Sequence, residues 1–193
     1  MFYIMLAIVV VLILWAVSTY NFFVTSAARV KAAIQEIGNQ LKRQAELIPN
    51  LEASVKGYLK HEKGIFDELT NARKSVVEAS KSVDLKKMAS AGKELSEVLP
   101  KIQVIVESNP GIKGAEVITN LMDELRDTSD KVMYARRLLI DLTADYNVKS
   151  VSFPSNLIAG IFHFEALKGL ETPIEAESLR VSENEMKTPK ISI

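Results

Sequence analysis

A chain of 193 residues with 24 basic and 24 acidic side chains carries no net charge at neutral pH, and none of that charge falls before Arg29. Electroneutrality removes the long-range attraction that draws a protein to nucleic acid. The absence of cysteine excludes disulfides, thiolate nucleophiles, iron–sulfur clusters and lipid attachment through a cysteine thiol.

From Phe2 to Val17 every residue is apolar, FYIMLAIVVVLILWAV. Counted as a helix to Val24, the segment reaches ~34 Å at 1.5 Å per residue, against a bilayer hydrocarbon core of ~30 Å. Trp15, Tyr20, Phe22 and Phe23 gather at its C-terminal end, where aromatic rings favour the headgroup region. Residues 1–24 are therefore read as a transmembrane anchor. A buried core helix is the first competing reading, but such helices rarely run this long without a polar residue. A cleaved signal peptide is the second. Ala16 and Ser18 offer it a weak small-x-small site, yet only Met1 precedes the apolar run, so the positive n-region is missing. The flank beyond the run carries Arg29, Lys31, Lys42 and Arg43, with Glu36 as the only acid among them. The positive-inside rule then predicts a single-pass protein of the cell (inner) membrane, N-terminus outside and the bulk of the chain in the cytoplasm.

The remainder is long enough for one domain with its own core, and its dominant signal is helical. Val30, Ile34, Ile37, Leu41, Ala45 and Ile48 step by threes and fours. So do Leu51, Val55, Tyr58, Glu62, Ile65, Leu69, Ala72, Val76, Ala79 and Val83; then Leu85, Met88, Gly92, Leu95, Leu99, Ile102 and Val106; then Ile118, Leu121, Leu125, Thr128, Val132, Ala135, Leu139, Leu142 and Tyr146. That spacing keeps one stripe facing a partner, the seam of a coiled coil or an up-and-down bundle. The fold class expected is all-α: an N-terminal transmembrane helix followed by an antiparallel up-and-down bundle of about four long helices, residues 25–168.

Pro49 suits a helix's first turn, so the reading places one helix at about 25–47 and the next at about 49–82. A single long, kinked helix through Pro49 is the alternative, because the stripe stays almost in register there. Asp84 is the expected N-cap of a helix over about 84–107, kinked or split near Leu99 by Pro100. Asn109-Pro110-Gly111 reads as a turn. The last long helix runs about 114–151. Phe153-Pro154 ends it, and Pro154-Ser155-Asn156 opens a short apolar helix through Phe162 or Phe164. Residues 169–193, with Pro173, Pro189, scattered Glu and few large apolar residues, read as a poorly ordered tail, whose closing Ile191-Ser192-Ile193 carries little weight.

The search for chemistry is mostly negative. His61-Glu62 opens like HExxH, but the second histidine position holds Ile65, and the chain's other histidine is the distant His163. No GxxxxGK[ST], GxGxxG or GxSxG is present. Gly111-Ile112-Lys113-Gly114 lacks the strand context of an RNA clamp. Glu62 stands in the apolar stripe between Tyr58 and Ile65, where an unpaired carboxylate is costly. The favoured reading is a buried ion pair with Arg43, Arg136 or Arg137 that fixes helix register; the alternatives are an exposed edge position and a ligand role. Arg136-Arg137 reads first as a solvated flank with its stems laid over the core.

The block Leu41-Lys42-Arg43-Gln44-Ala45-Glu46-Leu47-Ile48-Pro49-Asn50-Leu51, continued by Val55-Lys56-Gly57-Tyr58 and His61-Glu62, resembles the LemA family of bacterial and archaeal membrane proteins. The family pattern runs L-x-R-R-x-D-L-I-P-N-L-V-x-x-V-K-x-Y-x-x-H-E. Tyr20-Asn21, Tyr146-Asn147 and Phe153-Pro154-Ser155-Asn156-Leu157-Ile158-Ala159 resemble further family segments, so the likeness covers about residues 1–165. The chain departs from the pattern at Gln44, Glu46 and Glu52, near Ile34, where the family often has Trp, and at Leu139-Ile140, where it has a Tyr-Asn pair. The resemblance implies an N-terminal membrane helix, a cytoplasmic antiparallel bundle and no recognised enzymatic activity. One branch of the family is associated with building intracellular membrane compartments in magnetic bacteria, which suggests membrane organisation.

The function expected is a membrane-anchored scaffold or interaction protein that binds the lipid bilayer and protein partners or copies of itself. A sensor or signal-transducing bundle is the alternative. No enzyme activity, metal, cofactor, nucleic acid or small-molecule substrate is indicated.

Overall fold

The structure is a computed structural model that describes residues 1–59, 62–82, 84–109 and 114–169. Among them run α1 (Phe2–Val55), α2 (Lys63–Ser80), α3 (Leu85–Ser108), α4 (Ala115–Val151) and α5 (Ser155–Ile161). The protein is all-helical. The apolar N-terminal stretch and the first helix of the bundle are one element: α1 continues for 54 residues, ~80 Å at 1.5 Å per residue.

Up to Ser18 the residues of α1 touch almost nothing, with only Trp15 and Ala16 half-buried. Beyond them α1 buries one stripe, Phe23, Val30, Ala33, Ile37, Leu41, Gln44, Ile48, Leu51 and Val55. Pro49 lies inside the helix, so the turn expected before it does not form and the single-helix alternative holds. A proline in a helix interior costs ~3 kcal/mol or more. Ile48, Leu51 and Val55, all within 1% of complete burial, each contribute roughly 1.5–3 kcal/mol, which outweighs that cost. The chain turns back instead at Lys56-Gly57-Tyr58 and restarts at Lys63. The expected stripe through Tyr58 and Glu62 does not hold across this break, and both residues are exposed. Leu59 in the connection is buried and belongs to the core.

α2, α3 and α4 each pack antiparallel to their predecessor. Arg73 Nη1 of α2 reaches Glu52 Oε2 of α1 at 2.7 Å, and Lys101 Nζ of α3 reaches Glu68 Oε2 of α2 at 2.6 Å. Arg126 of α4 donates to Gln103 Oε1 of α3 at 2.5 Å. Asp84 caps α3, its Oδ1 accepting from the amides of Lys86 and Lys87 at 2.9 and 3.3 Å. α3 passes through Pro100 without splitting. α4 opens on Gly114, whose φ of 83° is a left-handed conformation that suits glycine.

The helices differ in length, and this gives the bundle two parts. The connection between α2 and α3 lies level with Gly38 of α1, where Met88 Cε would stand 3.9 Å from an added Cβ. Above that level four helices enclose an aliphatic core that includes Leu41, Leu69, Leu95, Ile102 and Leu125. Below it α4 continues alongside α1 as a two-helix neck, closed by α5. His61, the Pro110-Gly111 turn and the tail beyond Gly169 lie outside the described residues.

Candidate functional site

The residues singled out from the sequence fall at two ends of the molecule. Leu47, Ile48, Pro49, Asn50, Val55, Lys56, Tyr58 and Glu62 belong to the distal end of α1 and the connection to α2. Tyr146, Asn147, Phe153 and Pro154 belong to the neck. Tyr146 packs against Phe23, 32 helical positions from Val55, which corresponds to ~48 Å along α1. These blocks do not converge on one site.

At the distal end the roles are those of a helix terminus. Ile48 and Val55 enter the core, Leu47 and Pro49 are half-buried, and Asn50 and Lys56 face solvent. Ser54 Oγ donates to the Asn50 carbonyl at 2.8 Å. Glu62 is exposed at the N-cap of α2, so the buried ion pair expected for it does not form. The register that put it in the stripe is broken by the turn at 56–58. Arg43 is bound instead to Glu124 of α4, through Nε at 3.2 Å and through Nη2. That carboxylate holds the guanidinium charged above its ordinary range, by hydrogen bond first and by charge second. Arg136 is half-buried, with no hydrogen-bond partner for Nε among the described residues, and Arg137 is exposed.

Sequence reasoning missed the polar residue at the centre of the bundle. Gln44 is completely buried and donates from Nε2 to Ser129 Oγ at 3.1 Å. Ser129 Oγ and Thr128 Oγ1 in turn donate to the Leu125 carbonyl at 2.9 and 2.7 Å. Gln44 Oε1 meets no donor among the described residues. The threes-and-fours spacing passes through its neighbour Ala45, which is only half-buried.

The neck is aromatic where the bundle is aliphatic. Phe23 stacks on Phe164, with centroids 4.9 Å apart, and meets Tyr146 edge-on at 5.3 Å. Tyr20 contacts Phe162 at 4.8 Å and Phe164 at 5.5 Å. Lys149 Nζ lies 3.8 Å from the centre of the Phe22 ring. Burial raises the Tyr146 phenol above its ordinary 10.0. Asn147 ties the segment after α5 to α4: Nδ2 donates to the Leu167 carbonyl at 2.9 Å, and Oδ1 accepts from the Leu167 amide at 2.8 Å. Where the neck joins the bundle, a groove of about 520 Å³ runs between Arg29, Ala32 and Glu36 of α1 and Tyr134, Leu138 and Leu142 of α4.

Among the described residues no three His, Asp or Glu side chains converge as a metal site. What the fold defines is a helical bundle built on a long apolar helix that its own core leaves uncovered. The chain belongs to the LemA family, whose pattern matches residues 33–184, and is a membrane-associated helical protein. Magnetosome protein MamQ of Magnetospirillum gryphiswaldense is 26% identical over 172 residues, covering 77% of this chain and 63% of the relative. Magnetosome proteins MamQ 1 and MamQ 2 of Paramagnetospirillum magneticum are each 23% identical over 169 residues, covering 76% of this chain and 62% of theirs. The chain thus spans less than two thirds of the length of these curated relatives.

Proposed function

We propose that this protein is a single-pass, membrane-anchored scaffold without catalytic activity, whose bundle binds other proteins or further copies of itself close to the bilayer. In this reading residues 1–24 lie in the bilayer, the N-terminus is outside, and the bundle of residues 25–168 is cytoplasmic, as the basic flank Arg29, Lys31, Lys42 and Arg43 favours. The observation that carries the proposal is the continuity of α1. The helix that would cross the membrane also supplies the central stripe of the core, so the bundle is held upright and at a fixed height. The exposed Met133 and Tyr134 of α4, 64% and 71% accessible, offer apolar surface beside the groove for a partner. The MamQ relatives are magnetosome proteins, which supports a role in organising membranes.

The test is photocrosslinking in native membranes from probes at Met133 and Tyr134. A recurrent adduct, to a second copy or to one partner, is expected. Monomer alone from both positions contradicts the proposal.

The same continuity favours a second reading, a module that transmits changes in the membrane to the bundle. Labelling of the exposed bundle residues in bilayers of different thickness separates the two. A pattern that shifts with thickness favours transmission, and an invariant pattern favours the static scaffold.

A further inference from the structure

The lower end of the neck carries an apolar face that no other helix covers among the described residues. α5 buries Ser155, Ile158 and Ala159 but leaves Leu157 and Ile161, four positions apart on one face, 56% and 67% accessible. Val151, at the end of α4, is 74% accessible, and Phe153, in the turn between the helices, is 81% accessible. From Tyr146 to Phe162 the only charged side chain is Lys149. A helix facing water would carry polar residues on this side, and a contiguous exposed apolar patch marks a contact surface.

The height of this face identifies the contact. α4 runs antiparallel to α1, with Tyr146 against Phe23 and Phe162 against Tyr20. Val151 is therefore level with the turn of α1 around Ser18, within the uncharged stretch that ends before Arg29. The exposed face of α5 continues the exposed apolar surface of α1 sideways, at the level where a bilayer's hydrocarbon gives way to headgroups.

We propose that α5 and the Phe153 turn form an in-plane membrane element. Phe153, Leu157 and Ile161 dip into the acyl–headgroup boundary of the bilayer that α1 crosses, while Lys149 sits at phosphate level over the Phe22 ring. The occupant is the phospholipid surface itself, the solvent that amphipathic interfacial helices select. The bundle is then attached at two points, which fixes its tilt and its rotation about α1. This rests on α1 being a membrane span.

The chain lacks cysteine, so single nitroxide labels can be placed on Leu157→Cys and Ile161→Cys in the full chain. The protein is reconstituted in phosphatidylcholine–phosphatidylglycerol vesicles, with Leu12→Cys as the lipid reference and Ser108→Cys as the aqueous one. Collision with oxygen relative to a water-soluble nickel chelate reads the surroundings. Labels at 157 and 161 are expected to favour oxygen several-fold more than the label at 108, approaching the label at 12. Values matching Ser108→Cys while Leu12→Cys reads as lipid overturn the proposal and leave the anchor intact. Poor access to both reagents, with spin broadening relieved by unlabelled chain, identifies a second copy as the occupant and also overturns it. A Leu12→Cys label that reads as aqueous overturns the span and this proposal together.

Discussion

The two halves of α1 place similar residue types in opposite circumstances. Up to about Ser18 the helix is apolar on every side and almost wholly uncovered: Leu12 and Leu14 are 58% and 64% accessible. From Phe23 to Val55 it is apolar on one stripe, and Ile37 and Leu41 are completely buried. A side chain stabilises the folded bundle by the surface that folding removes from water. Leucines in the first half lose nothing further when the bundle folds, if lipid already surrounds them. Leucines in the second half lose everything. One helix therefore serves two solvents, and the change from all-round to one-sided apolarity marks where one gives way to the other.

Ile37→Ala against Leu12→Ala sharpens that contrast most. Removing the buried Ile37 side chain is expected to destabilise the bundle by about 2–5 kcal/mol, whereas Leu12→Ala leaves it unchanged. Urea unfolding of the full chain in lipid nanodiscs reads both, and comparable losses would break the contrast. Next in size is Asn147→Ala, which removes both hydrogen bonds to the Leu167 backbone. It is expected to cost roughly 1–3 kcal/mol and to accelerate hydrogen exchange at the Leu167 amide, with the distal bundle unaffected. Gln44→Leu tests whether the buried half of α1 needs its polar residue. Because Oε1 has no donor among the described residues, the exchange is expected to be neutral or to stabilise by up to ~1 kcal/mol. A loss as large as that of Ile37→Ala would make the Gln44–Ser129 contact a principal support.

The smallest effect is a pH slope. Burial raises the Tyr146 phenol above 10.0, so the fold favours the neutral form. This contribution is fully present below the unfolded value and is lost as pH rises through the folded one. Stability is expected to fall from about pH 10 upward, and Tyr146→Phe should flatten that part of the curve. Unfolding midpoints measured across the alkaline range check it.

Much of this architecture was legible because long helices repeat their signal. On α4 the stripe through Ile118, Leu125, Thr128, Val132, Ala135, Leu139 and Tyr146 is the buried face. At several places the stripe expected from the sequence lies one position from the true contact, at two of them beside a larger apolar residue. Ile34 stands beside the buried Ala33 and Leu142 beside the buried Thr143, whereas the expected Gly92 is smaller than the buried Ala91 beside it. Small side chains sit where helices approach closely, and larger neighbours cover the flank. The turn after Val55 has a different cause: Pro49 alone marks the expected turn, and burial on both sides of that residue overrides it. With the turn misplaced, Glu62 was assigned to a seam it does not face. The aromatic neck could not be read at all, since Tyr20 and Phe23 meet Phe162 and Phe164 only through the return of α4 and α5. Tyr146-Asn147 and Phe153-Pro154 were visible as motif residues, but the clamp on Leu167 depends on a backbone segment twenty residues away.

The central claim is that the apolar rod and the bundle's first helix are one rigid element. The direct measurement is the distance between spin labels at Ser18→Cys and Asn39→Cys, both exposed, with the full chain in lipid nanodiscs. An unbroken helix places the two α-carbons ~32 Å apart, and the account predicts a narrow distribution around that separation once label geometry is allowed for. A broad distribution, or one centred well short of it, would mean a hinge between membrane and bundle and would contradict the account.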